Sequence, residues 1–348
     1  MWDELFVVCF GISIGVFLNW GFRNLPKEGM QMLASVPVSK LDAETWNGVN
    51  ITYYGVLVAG SCMTAIAIAL MLLGSLGISG PMGLLCVIAI FGVCLPSSWI
   101  LAKVVEKKKH TLTVGGASFV GFLSAPLFLW GLNSSIHTYG GEGLPVVPVL
   151  AALCIAYAHG EGLGRLACIS FGCCYGRPLS ECGPVLRRLF DRHRFVFEGR
   201  TKKIAYESGL AGLPVIPIQA VTSVVSLSAG LAGMLLFLKG CYSWSLLLTV
   251  AVTQTWRILS ETARADYRGG GKWSIYQILA ALAVCGVLIA FPFIPEDATV
   301  SPHLWSGLSQ LWNPLVILSL QAVFVVTLLL TGVSSVTLST VRFHLTKR

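Results

Sequence analysis

Residues 145–165 read Pro-Val-Val-Pro-Val-Leu-Ala-Ala-Leu-Cys-Ile-Ala-Tyr-Ala-His-Gly-Glu-Gly-Leu-Gly-Arg, and their character decides the fold. The apolar run passes without a break into His159, Glu161 and Arg165. A helix needs about 20 predominantly apolar residues to cross a bilayer. This run approaches that length and carries ionisable groups at its far end. Such groups are costly at membrane depth, so their presence there points to function.

The rest of the chain has the same apolar character. Of its 348 residues, 55% are hydrophobic and 11% charged, and the mean hydropathy is +0.76. A soluble domain carries roughly 25% charged residues, so a bilayer must solvate this surface. Apolar runs predict nine spans, at about 5–21, 51–73, 81–104, 113–133, 145–162, 213–238, 242–260, 273–293 and 313–332. The expected fold class is an all-α polytopic membrane protein. Met1-Trp2-Asp3-Glu4 is acidic and lacks the basic region of a secretory signal, so the first run reads as a retained span. The longest polar stretch, 163–211, is too short for a usual domain and is expected to cap the membrane core.

Charge gives these spans a direction. Threaded through nine spans, 23 of the 24 Lys and Arg fall on one side, leaving Lys239 on the other. The positive-inside rule puts the basic side in the cytoplasm. The net charge of +8 is therefore read as topology and attraction to anionic lipid, with no nucleic acid partner. Most of the 11 cysteines sit inside apolar runs and read as small hydrophobes, not as a disulfide framework.

Three polar clusters fall at the basic ends of the spans. The first continues the opening stretch through Cys168, Cys173, Cys174, Tyr175, Gly176 and Arg177. Its glycines suit close backbone approach to a ligand, and the guanidinium forks of Arg165 and Arg177 suit a phosphate. The same residues also fit an anchored helix end with packing glycines. In the second cluster, Arg257, Glu261 and Arg264 share one helix face at i, i+4 and i+7. A glutamate between two arginines stays ionised and orients both. The third, Asn50-Ile-Thr-Tyr53-Tyr54-Gly55, reads by itself as an interfacial aromatic belt. Gln219 and Gln277 are weaker signals: amides that can glue helices together. These groups suit an enzyme acting on a lipid with a phosphate head group, and also a lipid transporter or an anion channel.

The clusters resemble the prolipoprotein diacylglyceryl transferase family. Tyr54-Gly55, Gly164-Arg165, Gly172-Cys-Cys-Tyr175-Gly176-Arg177, Pro217-Ile-Gln219, Arg257-x-x-x-Glu261-x-x-Arg264 and Ser274-x-x-Gln277 are similar to its motifs and occur in its order. The resemblance implies a seven-helix core over 48–293. It leaves 1–47 as an extra N-terminal helix and linker, and 294–348 as an extra C-terminal helix and basic tail. It further implies a bacterial inner membrane, phosphatidylglycerol or another anionic phospholipid as donor, and transfer of diacylglyceryl to a thiol with release of glycerol phosphate. No cofactor or metal is expected.

Departures from the family pattern limit what the resemblance implies. Val120 stands where the family has a histidine, Cys168 and Cys173 where it has Asn and Glu, and Thr222 where it has Glu. A phospholipid donor is thus better supported than a prolipoprotein acceptor, and the Cys-Cys-Tyr-Gly run is similar to a divergent branch with another acceptor. The expected roles are charge stabilisation by Arg165 and Arg257, orientation by Glu261, and acid/base chemistry by His159 or Glu161. Tyr54, Arg177, Gln219, Arg264, Cys173, Cys174, Tyr175, Gly176 and Gln277 are expected around the head group. The thiols fit packing, a nucleophile, or a metal with Cys168, Cys182 and His159. The alternative is a non-catalytic phospholipid-binding or lipid or anion transport protein. The family is expected to act at the outer face of its membrane, whereas the charge count puts these motifs inside.

Overall fold

A computed structural model describes residues 2–105, 114–266, 273–294, 300–344 and 346. The basic residues Lys107 to Lys109, Arg268, Lys272, Lys347 and Arg348 lie outside the described residues. The first half of the chain forms helix α1 (Trp2–Asn24), strands β1 (Met32–Lys40) and β2 (Thr45–Thr52), and helices α2 (Tyr53–Ser75), α3 (Gly80–Val105), α4 (Val114–Thr138) and α5 (Val146–Phe171). A cap of α6 (Pro184–Phe190), β3 (Phe195–Val196), α7 (Lys203–Ser208) and β4 (Pro214–Val215) follows. The chain then forms α8 (Ile218–Leu238), α9 (Tyr242–Thr262), α10 (Ile275–Ala290), α11 (Leu304–Gln310), α12 (Pro314–Thr331) and β5 (Val333–Arg342).

Among the described residues, eight helices are long and apolar enough to cross a bilayer: α1 to α5, α8, α10 and α12. The chain is a multi-pass, mostly helical membrane protein. The expected span at 242–260 is also a helix, α9, but its Ser, Thr, Gln and Arg residues leave it more polar than the other eight. It packs against α5, α8 and α10. Helix α5 lies at the centre, against α2, α8 and α9. The apolar window of α5 is 67% buried and that of α12 only 6%, so α12 offers most of its surface to lipid.

Glycines set how closely the central helices approach. A Cβ on Gly160 would lie 3.0 Å from Ala65 of α2, and one on Gly162 would lie 2.5 Å from Leu227 of α8. Ser223 of α8 adds a hydrogen bond to the Gly162 carbonyl. Gly160 and Gly162 are therefore used for helix packing, one of the two uses their sequence allowed.

The fold is not purely helical. Strands β1, β2 and β5 form one antiparallel sheet in that order, pairing Val36 with Val49 and Val49 with Leu338. The segments 32–47 and 333–342, read from sequence as linker and tail, and 48–52, read as the start of the core, are rich in polar and β-branched residues and so suit strands. Asp42 accepts from the backbone N–H groups of Glu44 and Thr45 and closes the β1–β2 turn. Asn50 is buried and donates to Thr337, while Thr52 donates to the Gly332 carbonyl and also accepts from Gly55 N as the α2 cap. Most of the third polar cluster thus docks the C-terminal strand.

The two ends of the bundle carry different parts of the chain. Lys239 pairs with Glu4 at 3.0 Å, and Tyr242 donates to the Val300 carbonyl, which gathers those segments at one end. The sheet and the cap lie at the other. The cap is pinned to the α1–β1 linker by fully buried Lys202, whose ammonium donates to the carbonyls of Leu25 (3.0 Å) and Ser170 (2.6 Å). Burial pushes the Lys202 pKa down to about 8, against the pull of Glu198 and Glu28.

Candidate functional site

Tyr157, Glu161 and Arg165 follow one another at four-residue steps and line one face of α5. Helix α9 supplies Gln254 and Arg257 opposite them. Arg165 binds Glu161 at 2.6 Å, and Arg257 binds the same carboxylate oxygen. Tyr157 donates to the other oxygen of Glu161 and accepts from Arg257 (2.9 Å) and Gln254 (3.3 Å). The three charged side chains are 4% to 12% exposed, so water screens them little. Two guanidiniums face one carboxylate, leaving one positive charge locally uncompensated. Arg257 Nε is buried and has no partner among the described residues. An unfilled charged donor in such a place costs free energy unless an acceptor reaches it.

The pairing differs from the expected one. Glu261 does not bridge Arg257 and Arg264. Among the described residues it pairs only with Arg264, at 3.6 Å, and accepts from Ser274 at 3.3 Å. Arg264 is held mainly by Asp266, through two bonds of 2.7 Å. Arg257 points from the same helix toward α5, so the glutamate held between two arginines is Glu161.

A second group of side chains adjoins this network. The sulfurs of Cys168, Cys173 and Cys174 lie within 4.8 Å of one another. Arg165, Arg264 and Tyr54 are close enough to interact electrostatically with this group. Gln219 donates to the Cys173 carbonyl at 2.9 Å, and its own Oε1 is buried without a partner among the described residues. The structure thus brings together Arg165, Glu161, Arg257, Arg264, Tyr54, Gln219, Cys173 and Cys174.

Other expected residues are placed elsewhere. His159 is two positions from Glu161 and points to the opposite side of α5, between Phe10 and Gly230. Its Nδ1 contacts the Ile155 carbonyl. The structure therefore separates it from the arginines and from the thiols. Tyr175 is fully buried, hydrogen-bonded to Ser208 and Glu207, and burial pushes its phenol up to about 12. Gly176 bridges Arg264, and a Cβ there would lie 2.4 Å from the Ile216 carbonyl oxygen, so it serves packing. Gln277 completes the capping box of α10 with Ser274 and donates to the Ile258 carbonyl. The Arg177 side chain is exposed, and its backbone N–H donates to the Ala263 carbonyl. Cys182 donates to the Pro178 carbonyl, and Thr222 accepts from Trp256.

Tyr157, Gln254 and Asp266 were not expected in the site. Tyr157 could have been found, since its spacing to Glu161 repeats that of Glu161 to Arg165. A separate cavity between the end of α1 and the cap is lined by Arg23, Lys27, Arg192 and Arg194 with Asp191 and Glu198, and shares no residue with this network.

Comparison of the chain with models of known protein families and with curated proteins finds no match.

Proposed function

We propose that the chain is a membrane-embedded, glycerophospholipid-dependent transferase similar to prolipoprotein diacylglyceryl transferases. The observation that carries this reading is the buried Arg165–Glu161–Arg257 network, with its surplus positive charge and the orphan Nε of Arg257. It lies in the second half of α5 and of α9, within a bundle of membrane-length apolar helices, where it would meet a lipid phosphate drawn into the bundle. In the reaction, an acceptor thiol attacks the glyceryl carbon, a C–S bond forms and the C–O bond to phosphate breaks. The thiol proton leaves with the released glycerol phosphate. Charge gathers on the departing phosphate, and guanidiniums already aimed there stabilise it without reorganising, each contributing about 3–4 kcal/mol. In this reading α9 is a ninth span, 48–293 is the core, the membrane is a bacterial inner membrane, and the site opens to the cytoplasm.

One observation favours a second reading. His159 is packed away from the network and Glu161 is tied to two arginines, so neither is placed as a free base. A protein that binds anionic phospholipid without turning it over fits that arrangement.

Purified protein with labelled phosphatidylglycerol and a panel of thiol acceptors separates the two. The transferase releases glycerol phosphate, and Arg257→Lys, which keeps the charge but loses the planar fork, slows release at least tenfold. Retention of lipid with no release by the wild-type protein would sink the transferase reading and leave the binding one.

A further inference from the structure

We propose that Cys168, Cys173 and Cys174 form a three-thiolate site for a soft d10 cation, Zn²⁺ or Cu⁺. Cys168 lies in the last turn of α5, and the chain reverses immediately after it. Gly172 takes the left-handed conformation at φ 71°, and the Cys173 N–H returns to the Cys168 carbonyl at 3.0 Å. Cys174 then adopts φ 55°, the left-handed region that a residue with a Cβ enters at a cost of about 1–2 kcal/mol. Among the described residues it is the one non-glycine residue to do so. The strained turn carries two further thiols back beside the first.

The three sulfurs lie within 4.8 Å of one another. Among the described residues none of the three is in a disulfide, and each is partly exposed, so a metal can reach them. Around tetrahedral zinc, with Zn–S near 2.3 Å, ligand sulfurs stand about 3.8 Å apart. An inward movement of about 1 Å therefore closes the site. Binding exchanges three thiol protons for one cation, leaving net charge −1 with Zn²⁺ or −2 with Cu⁺. Arg165, Arg264 and Lys203 all interact electrostatically with members of the cluster and offset that charge. Soft thiolates select these ions over Mg²⁺ or Ca²⁺. Cys182 and His159 lie apart, so the described residues supply three ligands and leave a fourth position for water or a substrate atom.

The inference stands apart from the lipid reading, because its readout is bound metal. Full-length protein in detergent, reduced and stripped by a chelator, is titrated with Co²⁺ as the probe. One equivalent should produce thiolate-to-cobalt charge-transfer absorption, and Zn²⁺ or Cu⁺ should displace it, whichever does so at lower concentration naming the ion. Cys182→Ser should leave this unchanged, and Cys168→Ser, Cys173→Ser and Cys174→Ser should each weaken binding at least tenfold. In the wild-type protein, Zn²⁺ should also protect these three cysteines from alkylation, read by peptide mass. Absence of the absorption in wild-type protein, or protection of other cysteines in place of these, overturns the assignment.

Discussion

Glu161 joins two arginines that the chain delivers from different helices, and each partner leaves a cost behind when removed. Breaking a buried ion pair from one side typically costs about 3–5 kcal/mol, because the surviving charge stays desolvated. Glu161→Gln should therefore lower the thermal unfolding midpoint sharply, whereas Tyr157→Phe should cost only about 1–2 kcal/mol as a lost hydrogen bond. Unfolding followed by tryptophan fluorescence in detergent checks both, and equal losses would show that the carboxylate is not the centre of the network. Half of this arrangement is legible in the sequence. Glu161 and Arg165 are helix neighbours by spacing alone, as are Glu261 and Arg264. The choice of Arg257 for Glu161 over Glu261 depends on how α9 is rotated against α5, which no local spacing encodes. The opposite direction of His159 follows from its two-residue offset and was readable.

At the scale of elements, the glycines divide by the neighbour they face. Gly162 meets α8, where an added Cβ would stand 2.5 Å from Leu227 Cγ and 3.1 Å from the Ser223 carbonyl oxygen. At Gly164 the same atom would find only Ser61 Oγ, at 3.5 Å. Gly162→Ala is expected to force α5 and α8 apart and to cost about 1–3 kcal/mol. Gly164→Ala should be neutral, or stabilise by up to about 1 kcal/mol through reduced chain entropy. The same unfolding measurement compares them, and matching effects would remove the close α5–α8 approach from the account. Helices were read from runs of apolar residues, and that signal works wherever lipid or core demands it. The strands of 32–52 and 333–342 escaped it because they are too short and polar for such a run, and their partners are remote in sequence.

For the whole molecule, the Glu4–Lys239 pair and the capped opposite end give the bundle a polarity that labelling can read. Cys241 lies in the exposed turn between α8 and α9, at the Lys239 end. If the basic end faces the cytoplasm, an impermeant maleimide should modify Cys241 in intact cells from which the outer membrane has been removed. A cysteine placed at exposed Ser180 of the cap should react only after lysis. Reaction at Ser180→Cys before lysis would reverse the orientation and place the arginine network on the outer face.

The sheet at that end also has a consequence for biogenesis. Strand β2 is made early, yet its second edge pairs with β5, so that Asn50 meets Thr337 across 287 residues of chain. Until the last helix has been inserted, β2 carries an open row of backbone donors and acceptors beside the membrane. An open edge is a template for pairing with another chain. Synthesis interrupted before residue 333 would leave helices inserted but that edge uncovered, making the stalled chain a substrate for chaperones or quality-control proteases. The final strand is thus the step that seals the molecule.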